Sequence, residues 1–400
     1  MRVGNALAVL AALAGCAGED AEVSLGEPGV EALVRPDTPG NNLQFNFDRS
    51  DVVEFLDSPG GRFRIHFTRD GVNRVPPADN DASGVPDFVE QVADVYDEVL
   101  AFYEGTLGFR APLDDGAIAD NGGDDRFDVY LVDFNGVGDG AFRVDACLSS
   151  NGERCAGFMT QENDFVGYGY PSTLVANRIL GSHEFFHAVQ AAYDTGQGSV
   201  FGEGMAVWAT EMFDPNLEDF EWFLPGYLDN TDRPIDQPLP GPVDPFSYGS
   251  AIFFKFMEER FGVDSVRLLA ESVENGANGV ADPYWVDALD GVIAASGGTG
   301  FPDAFVEFAM WNLLTDDFGD PSRSYADGAD YARVRVEEFA TPHEDDALRV
   351  YRASSQYFGL PVGARTQMTA ALVAPSSDPE ATVGLRVLLA AERSDGLDVI

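Results

Sequence analysis

The sequence predicts an α+β fold: a mixed α/β lobe first, a helical lobe second and a short β-rich segment last. Three observations carry this. Residues 43–171 interleave alternating, strand-like runs with one helical pattern, residues 172–345 keep helical spacing almost throughout, and residues 346–400 return to short alternations. A chain of 400 residues, 45% of them hydrophobic, can bury cores of that size, and 43 Gly and 23 Pro supply turns that a plain helical bundle would not need.

The N-terminus opens with Met1 and Arg2 and an apolar stretch from Val3 to Leu13, too short to span a bilayer. Residues 1–15 read as an export signal. Their ending, Leu13-Ala14-Gly15-Cys16, resembles the lipobox of bacterial lipoproteins, which implies cleavage before Cys16 and acylation of that cysteine. The plainer alternative is an ordinary secretory signal that carries a cysteine. The expected place is the bacterial cell envelope, anchored to the membrane through an N-terminal lipid, or outside the cell if Cys16 is not acylated. Residues 16–42, rich in Gly, Pro, Glu and Asn, read as a flexible tether, with structure beginning near Leu43.

Phe63 to Phe67 alternates as a strand does, and Phe88, Val92, Val95, Val99 and Tyr103 place a helix over about Pro86 to Leu107. Phe127 to Phe134 and Gly157 to Phe165 read as further strands. Pro171 opens a long helical pattern, Ser172 to Tyr193. Helices follow over 203–213 and Tyr248 to Phe261, with more up to about Leu314. Ala381 to Ala391 alternates again, and the chain stops at Ile400 inside such a pattern, so the last β-unit is expected to be incomplete. Cys147 and Cys155, an even pair in an exported chain, are expected to form a disulfide closing a short loop. They lack CxxC spacing and a nearby histidine, which speaks against a metal site.

The net charge of -44 excludes nucleic acid as a partner, because so many carboxylates repel a phosphate backbone. Lys255 is the single lysine. That usage fits a salt-rich or calcium-rich setting, and equally the codon bias of a GC-rich genome.

Residues 183–187 read His-Glu-Phe-Phe-His. Residues i and i+4 share a helix face, so His183 and His187 can grip one Zn²⁺ from a rigid element, with Glu184 beside the metal as general base. Phe185 and Phe186 point elsewhere and can pack the helix into the core. The plain alternative is a histidine pair without metal. A catalytic zinc needs a third protein ligand and one open position. Glu203 and Glu211 are the candidates, since His343 is too far along the chain to serve. Fifteen residues separate His187 from Glu203, room for a helix end, a glycine turn and a second helix returning alongside.

With Phe201-Gly202-Glu203-Gly204-Met205-Ala206 following HExxH, the segment resembles the gluzincin metallopeptidases, namely the gluzincin aminopeptidases and, more loosely, the thermolysin-like enzymes. The resemblance implies a gluzincin-like catalytic domain with Glu203 as third zinc ligand and Glu211 as a carboxylate outside the ligand set. The chain departs from the aminopeptidase pattern in its shorter spacing and in Gly202, where that pattern has Asn. Ser247-Tyr248-Gly249-Ser250 resembles the tyrosine at a helix head that stabilises the oxyanion in those enzymes; Tyr248 has the chemistry for it, a phenol donor. Gly157 to Phe165 resembles both the Gly-x-Met-Glu-Asn strand of the aminopeptidases and the Asn-bearing edge strand of thermolysin-like enzymes, which implies a substrate-holding edge strand there. Residues 60–315 also resemble a family of exported metallopeptidases from myxobacteria and related bacteria. The shared features are the Asp-rich loop ending Val85-Pro86-Asp87, the strand around Asp128-Val129-Tyr130, HExFHAVQ and Glu203-Gly204-x-Ala206-x-Trp208.

Residues 79–90 place Asp79, Asp81, Ser83, Val85 (through its carbonyl), Asp87 and Glu90 at the ligand positions of an EF-hand-like Ca²⁺ loop, with Gly84 sixth. Pro86 is unusual for that motif, and no helical pattern precedes the loop. The alternative is an acidic turn capping the following helix. The expected function is a zinc peptidase acting on protein or peptide substrates. Its rivals are a surface lipoprotein that keeps the fold for binding or adhesion, and a hydrolase of a non-peptide bond.

Overall fold

The structure, a computed structural model, describes residues 34–338 except 40, 42, 117, 119–120, 149–152 and 241–243, together with 351–359, 386–388, 390–393 and 396–399. The expected signal segment, Cys16, most of the expected tether and most of the C-terminal segment lie outside the described residues.

Strand propensity and alternation build one five-stranded mixed sheet: β1 (Val53–Asp57), β2 (Phe63–Thr68), β3 (Phe127–Val132), β4 (Gly140–Leu148) and β5 (Arg154–Glu162). The order is β1-β2-β3-β5-β4; β2, β3 and β5 are parallel, and both outer pairs are antiparallel. Because successive side chains face opposite ways, Phe63, Ile65, Phe67, Val129, Leu131 and Met159 join the main core. Tyr130, Val132 and Phe158 join a smaller one with Phe47 on the far face. The helix α1 (Asp87–Gly105) buries Phe88, Val92, Val95, Tyr96, Val99 and Tyr103 in the main core, as its spacing predicts.

Two expectations need correction here. The tether expected over 16–42 ends sooner, because Arg35 is fully buried and ion-paired with Asp115, Asp128 and Asp145. Its guanidinium also lies over the Phe158 ring. A buried charge is tolerated only when paired, and these partners come from distant parts of the chain. The edge strand expected at Gly157 to Phe165 is instead the inner strand β5, and β4 forms the edge. Phe165 takes a left-handed φ of 53°, which ends any extended run before it.

The helical lobe begins with α2 (Thr173–Ala191), whose N-cap Ser172 accepts a hydrogen bond from the Val175 N–H. Then come α3 (Ser199–Phe213), α4 (Asp219–Leu228), α5 (Pro245–Gly249), α6 (Ala251–Phe261), α7 (Asp264–Ser272), α8 (Trp285–Ala295) and α9 (Phe301–Leu313). The single helix expected over Tyr248 to Phe261 is thus two, with Tyr248 inside the first. α3 starts earlier than 203, after Gly198 at φ 81°. Both lobes share one core: Phe185 packs on Phe63 and Phe127 of the sheet, and Phe186 on Tyr103, Phe109 and Trp208. Of the β-rich segment expected over 346–400, the described parts include β7 (Phe358–Gly359), which pairs with β6 (Glu337–Glu338) from before it, and an antiparallel pair, β8 (Ala390–Arg393) with β9 (Gly396–Val399). Cys147 and Cys155 face each other across β4 and β5 and are disulfide-bonded. Among the described residues, no helix is long and apolar enough to cross a membrane.

Candidate metal centre and its cleft

α2 carries His183, Glu184 and His187 on one face, and the ligand-capable atoms of all three lie within 4.8 Å of one another. α3 returns alongside α2 and brings Glu203 to them. Glu203 Oε2 is 3.1 Å from His183 Nε2 and 3.4 Å from His187 Nε2. Four-coordinate zinc with bonds of about 2.0–2.1 Å holds neighbouring ligand atoms roughly 3.3 Å apart, so this spacing suits the ion. His187 Nε2 is buried, and Glu203 is the group that faces it. The donor set of two imidazoles and one carboxylate is zinc chemistry.

The charges respond to this packing. Burial disfavours ionisation of both partners, but Glu203 outweighs it at His187 and lifts that imidazole to about 9. Burial likewise works against the Glu203 carboxylate, yet His187 and His183 hold it well below the usual carboxylate range. Glu211, the other candidate ligand, lies eight residues further along α3, about 12 Å down the helix axis. Burial, with Glu221 adding and Lys255 opposing, pushes it up to about 7. It is not part of the cluster around the two histidines.

Two glycines explain why the motifs read Glu-Gly and Tyr-Gly. A Cβ on Gly204 would come within 2.2 Å of Ser250 Oγ, so only glycine lets the α5–α6 junction press onto α3 beside Glu203. A Cβ on Gly249 would meet the Tyr227 backbone nitrogen at 2.5 Å, so α5 rests directly on α4. That packing sets the Tyr248 ring parallel to His183, with centroids 5.6 Å apart, and stacks Phe223 on the other side at 4.8 Å. Tyr248 therefore borders the centre, as its sequence position implies.

The sheet meets the centre through β4. The Phe142 N–H donates to Glu184 Oε2 at 3.2 Å. Gly140 packs so close to Leu180, one turn before Glu184, that a Cβ would clash at 2.7 Å. Glu162 and Asn163 lie in and just after β5, in the run read as a substrate-holding strand, and both are hydrogen-bonded within the fold. Glu162 accepts from the Phe134 N–H and the Tyr168 hydroxyl, and the Asn163 amide donates to the Arg74 and Val72 carbonyls. Asp139 stands just ahead of β4, buried and bonded by the Tyr170 hydroxyl. Burial pushes it up to about 6, with Glu184 adding and Tyr170 opposing. Asp219, at the head of α4, is raised to about 6 by burial while His183 opposes. Sequence reading missed both, since neither belongs to a motif.

No protein-family model matches this chain, and no curated protein matches it.

Away from the centre, Asp79, Asp81 and Asp87 converge, each offering an oxygen within 4.8 Å of the others. The Ser83 N–H donates to Asp79 Oδ1 and Asp81 Oδ1, and the Gly84 N–H to Asp79 Oδ2. The Val85 carbonyl accepts from the Ser83 hydroxyl, and Glu90 sits on α1 outside the convergent trio. A second carboxylate trio, Glu153, Asp194 and Asp282, has no sequence signal because its members come from three separate segments.

Proposed function

We propose that this chain is a zinc-dependent peptidase of gluzincin type, with His183, His187 and Glu203 holding the metal. The observation that carries the reading is the single Glu203 oxygen shared by the two Nε2 atoms at zinc-compatible spacing. Bound there, zinc supplies Lewis acidity that lowers the pKa of water and polarises a carbonyl. Glu184 takes the proton from the attacking water and passes it to the leaving amine. Tyr248 donates its phenol proton in a hydrogen bond to the oxyanion. The outer edge of β4 offers main-chain groups to an extended peptide, as edge strands do. With the export signal and Cys16, the proposed setting is the cell envelope, and the substrates are proteins or peptides met there.

The test is hydrolysis of casein and of a mixed peptide library by zinc-loaded protein. Cleavage is expected, with loss on chelation and return when zinc is restored. Hydrolysis that ignores the chelator sinks the reading. Zinc bound without any cleavage moves the assignment to an adhesion or binding lipoprotein, and cleavage confined to esters or other bonds moves it to a different hydrolase.

We also assign Ca²⁺ to the loop at 79–90, on the convergence of Asp79, Asp81 and Asp87. Calcium at a hundredfold excess over its Kd is expected to stabilise the protein by about 2.7 kcal/mol, read as a rise in Tm. Asp79→Asn with Asp81→Asn should abolish the rise. An unchanged Tm in the parent protein leaves the loop as an acidic cap for α1.

A further inference from the structure

We propose that Gln190 is the positioning residue of the metal centre: it fixes the protonation site of His187 and ties the helix of the histidines to the helix of Glu203. This rests on the zinc reading of the site. Gln190 lies three residues after His187 on α2, so both face the same way. It is buried, and its Oε1 is 2.8 Å from His187 Nδ1. Its Nε2 points at α3, 3.0 Å from the Gly202 carbonyl and 3.4 Å from that of Phe201. These are the two carbonyls immediately before Glu203.

The amide has donors on one end and an acceptor on the other, and that asymmetry decides the chemistry. Only the NH₂ end can donate to two carbonyls, so the oxygen must face His187. An oxygen can only accept, so Nδ1 of His187 must carry hydrogen. Nδ1 keeps this hydrogen whether the ring is neutral or charged, so Nε2, the nitrogen that faces Glu203, is the one that gives up a proton and takes a metal. A histidine held in this way presents Nε2 rather than Nδ1 to a metal. The same side chain fixes the spacing between α2 and α3, and with it the distance from His187 to Glu203.

Zinc affinity by chelator competition, with the His187 Nδ1–H resonance in ¹⁵N-histidine-labelled metal-free protein, tests this. Gln190→Leu keeps the volume and removes both bonds. Its zinc Kd is expected to rise about 10–100-fold, the usual worth of a partner behind a metal-bound histidine. The slowly exchanging Nδ1–H resonance should vanish while the fold, by circular dichroism, persists. Gln190→Glu keeps the acceptor for His187 but sets oxygen against the α3 carbonyls. It should retain the resonance and show a smaller affinity loss. Gln190→Leu that binds zinc like the parent overturns the proposal. If Gln190→Leu fails to fold, Gln190→Glu decides: a lost resonance overturns the proposal, and a retained one with weakened zinc supports it. A parent protein that takes up no zinc removes the peptidase reading, and the resonance by itself then decides whether Gln190 holds His187.

Discussion

Glu184→Gln is expected to cut peptide hydrolysis by about 10²–10⁴ while zinc stays bound, because the change removes a base and little else. Glutamine keeps the length of the side chain and an oxygen that can accept from the Phe142 N–H, now 3.2 Å from Glu184 Oε2. It cannot take a proton from water at neutral pH. The two imidazoles and Glu203 are untouched, so zinc affinity should hold within a few-fold. Single-turnover hydrolysis of a fluorogenic peptide and chelator competition on the same preparation give the two numbers. A variant as fast as the parent removes Glu184 from the mechanism. Loss of zinc together with activity would make Glu184 a ligand.

How much of this was legible in the sequence follows from how local each interaction is. His183, Glu184 and His187 are set by helical periodicity alone, and Phe185 and Phe186 by the two faces that remain. Chain length and a turn left both Glu203 and Glu211 open, and only the resemblance to the gluzincins favoured Glu203. The start of α3 was misread because Gly202 and Gly204 lower helix propensity; packing overrides this, since Gly204 is where Ser250 must approach. The edge strand was misread because no strand was read over β4, and only the order of pairing separates an edge from an interior. Arg35 defeats any local reading, for its carboxylates lie 80 to 110 residues away. Gln190 was within reach: a polar residue one turn past the second histidine has few other uses in a buried helix.

Glu203→Ala and Glu211→Ala should part company completely, and the contrast locates the third ligand. Removing Glu203 leaves two imidazoles and deletes the oxygen that both face, so zinc should weaken by more than the roughly 10–100-fold that a supporting contact is worth. Glu211→Ala should bind zinc as the parent does, since about 12 Å of helix separates it from the centre. Its effect belongs to stability. Burial and Glu221 raise Glu211 from an ordinary 4.5 to about 7, so the folded state holds its proton more tightly than the unfolded chain. A raised carboxylate pKa means stability is fully present below about 4.5 and is lost as pH climbs through 7. Glu211→Gln imitates the protonated form and should therefore melt higher than the parent at pH 8, with little difference at pH 5. Zinc affinity falling in Glu211→Ala but not in Glu203→Ala would reverse the ligand assignment. A Glu211→Gln protein with no gain at pH 8 would mean that the carboxylate is not held protonated in the fold.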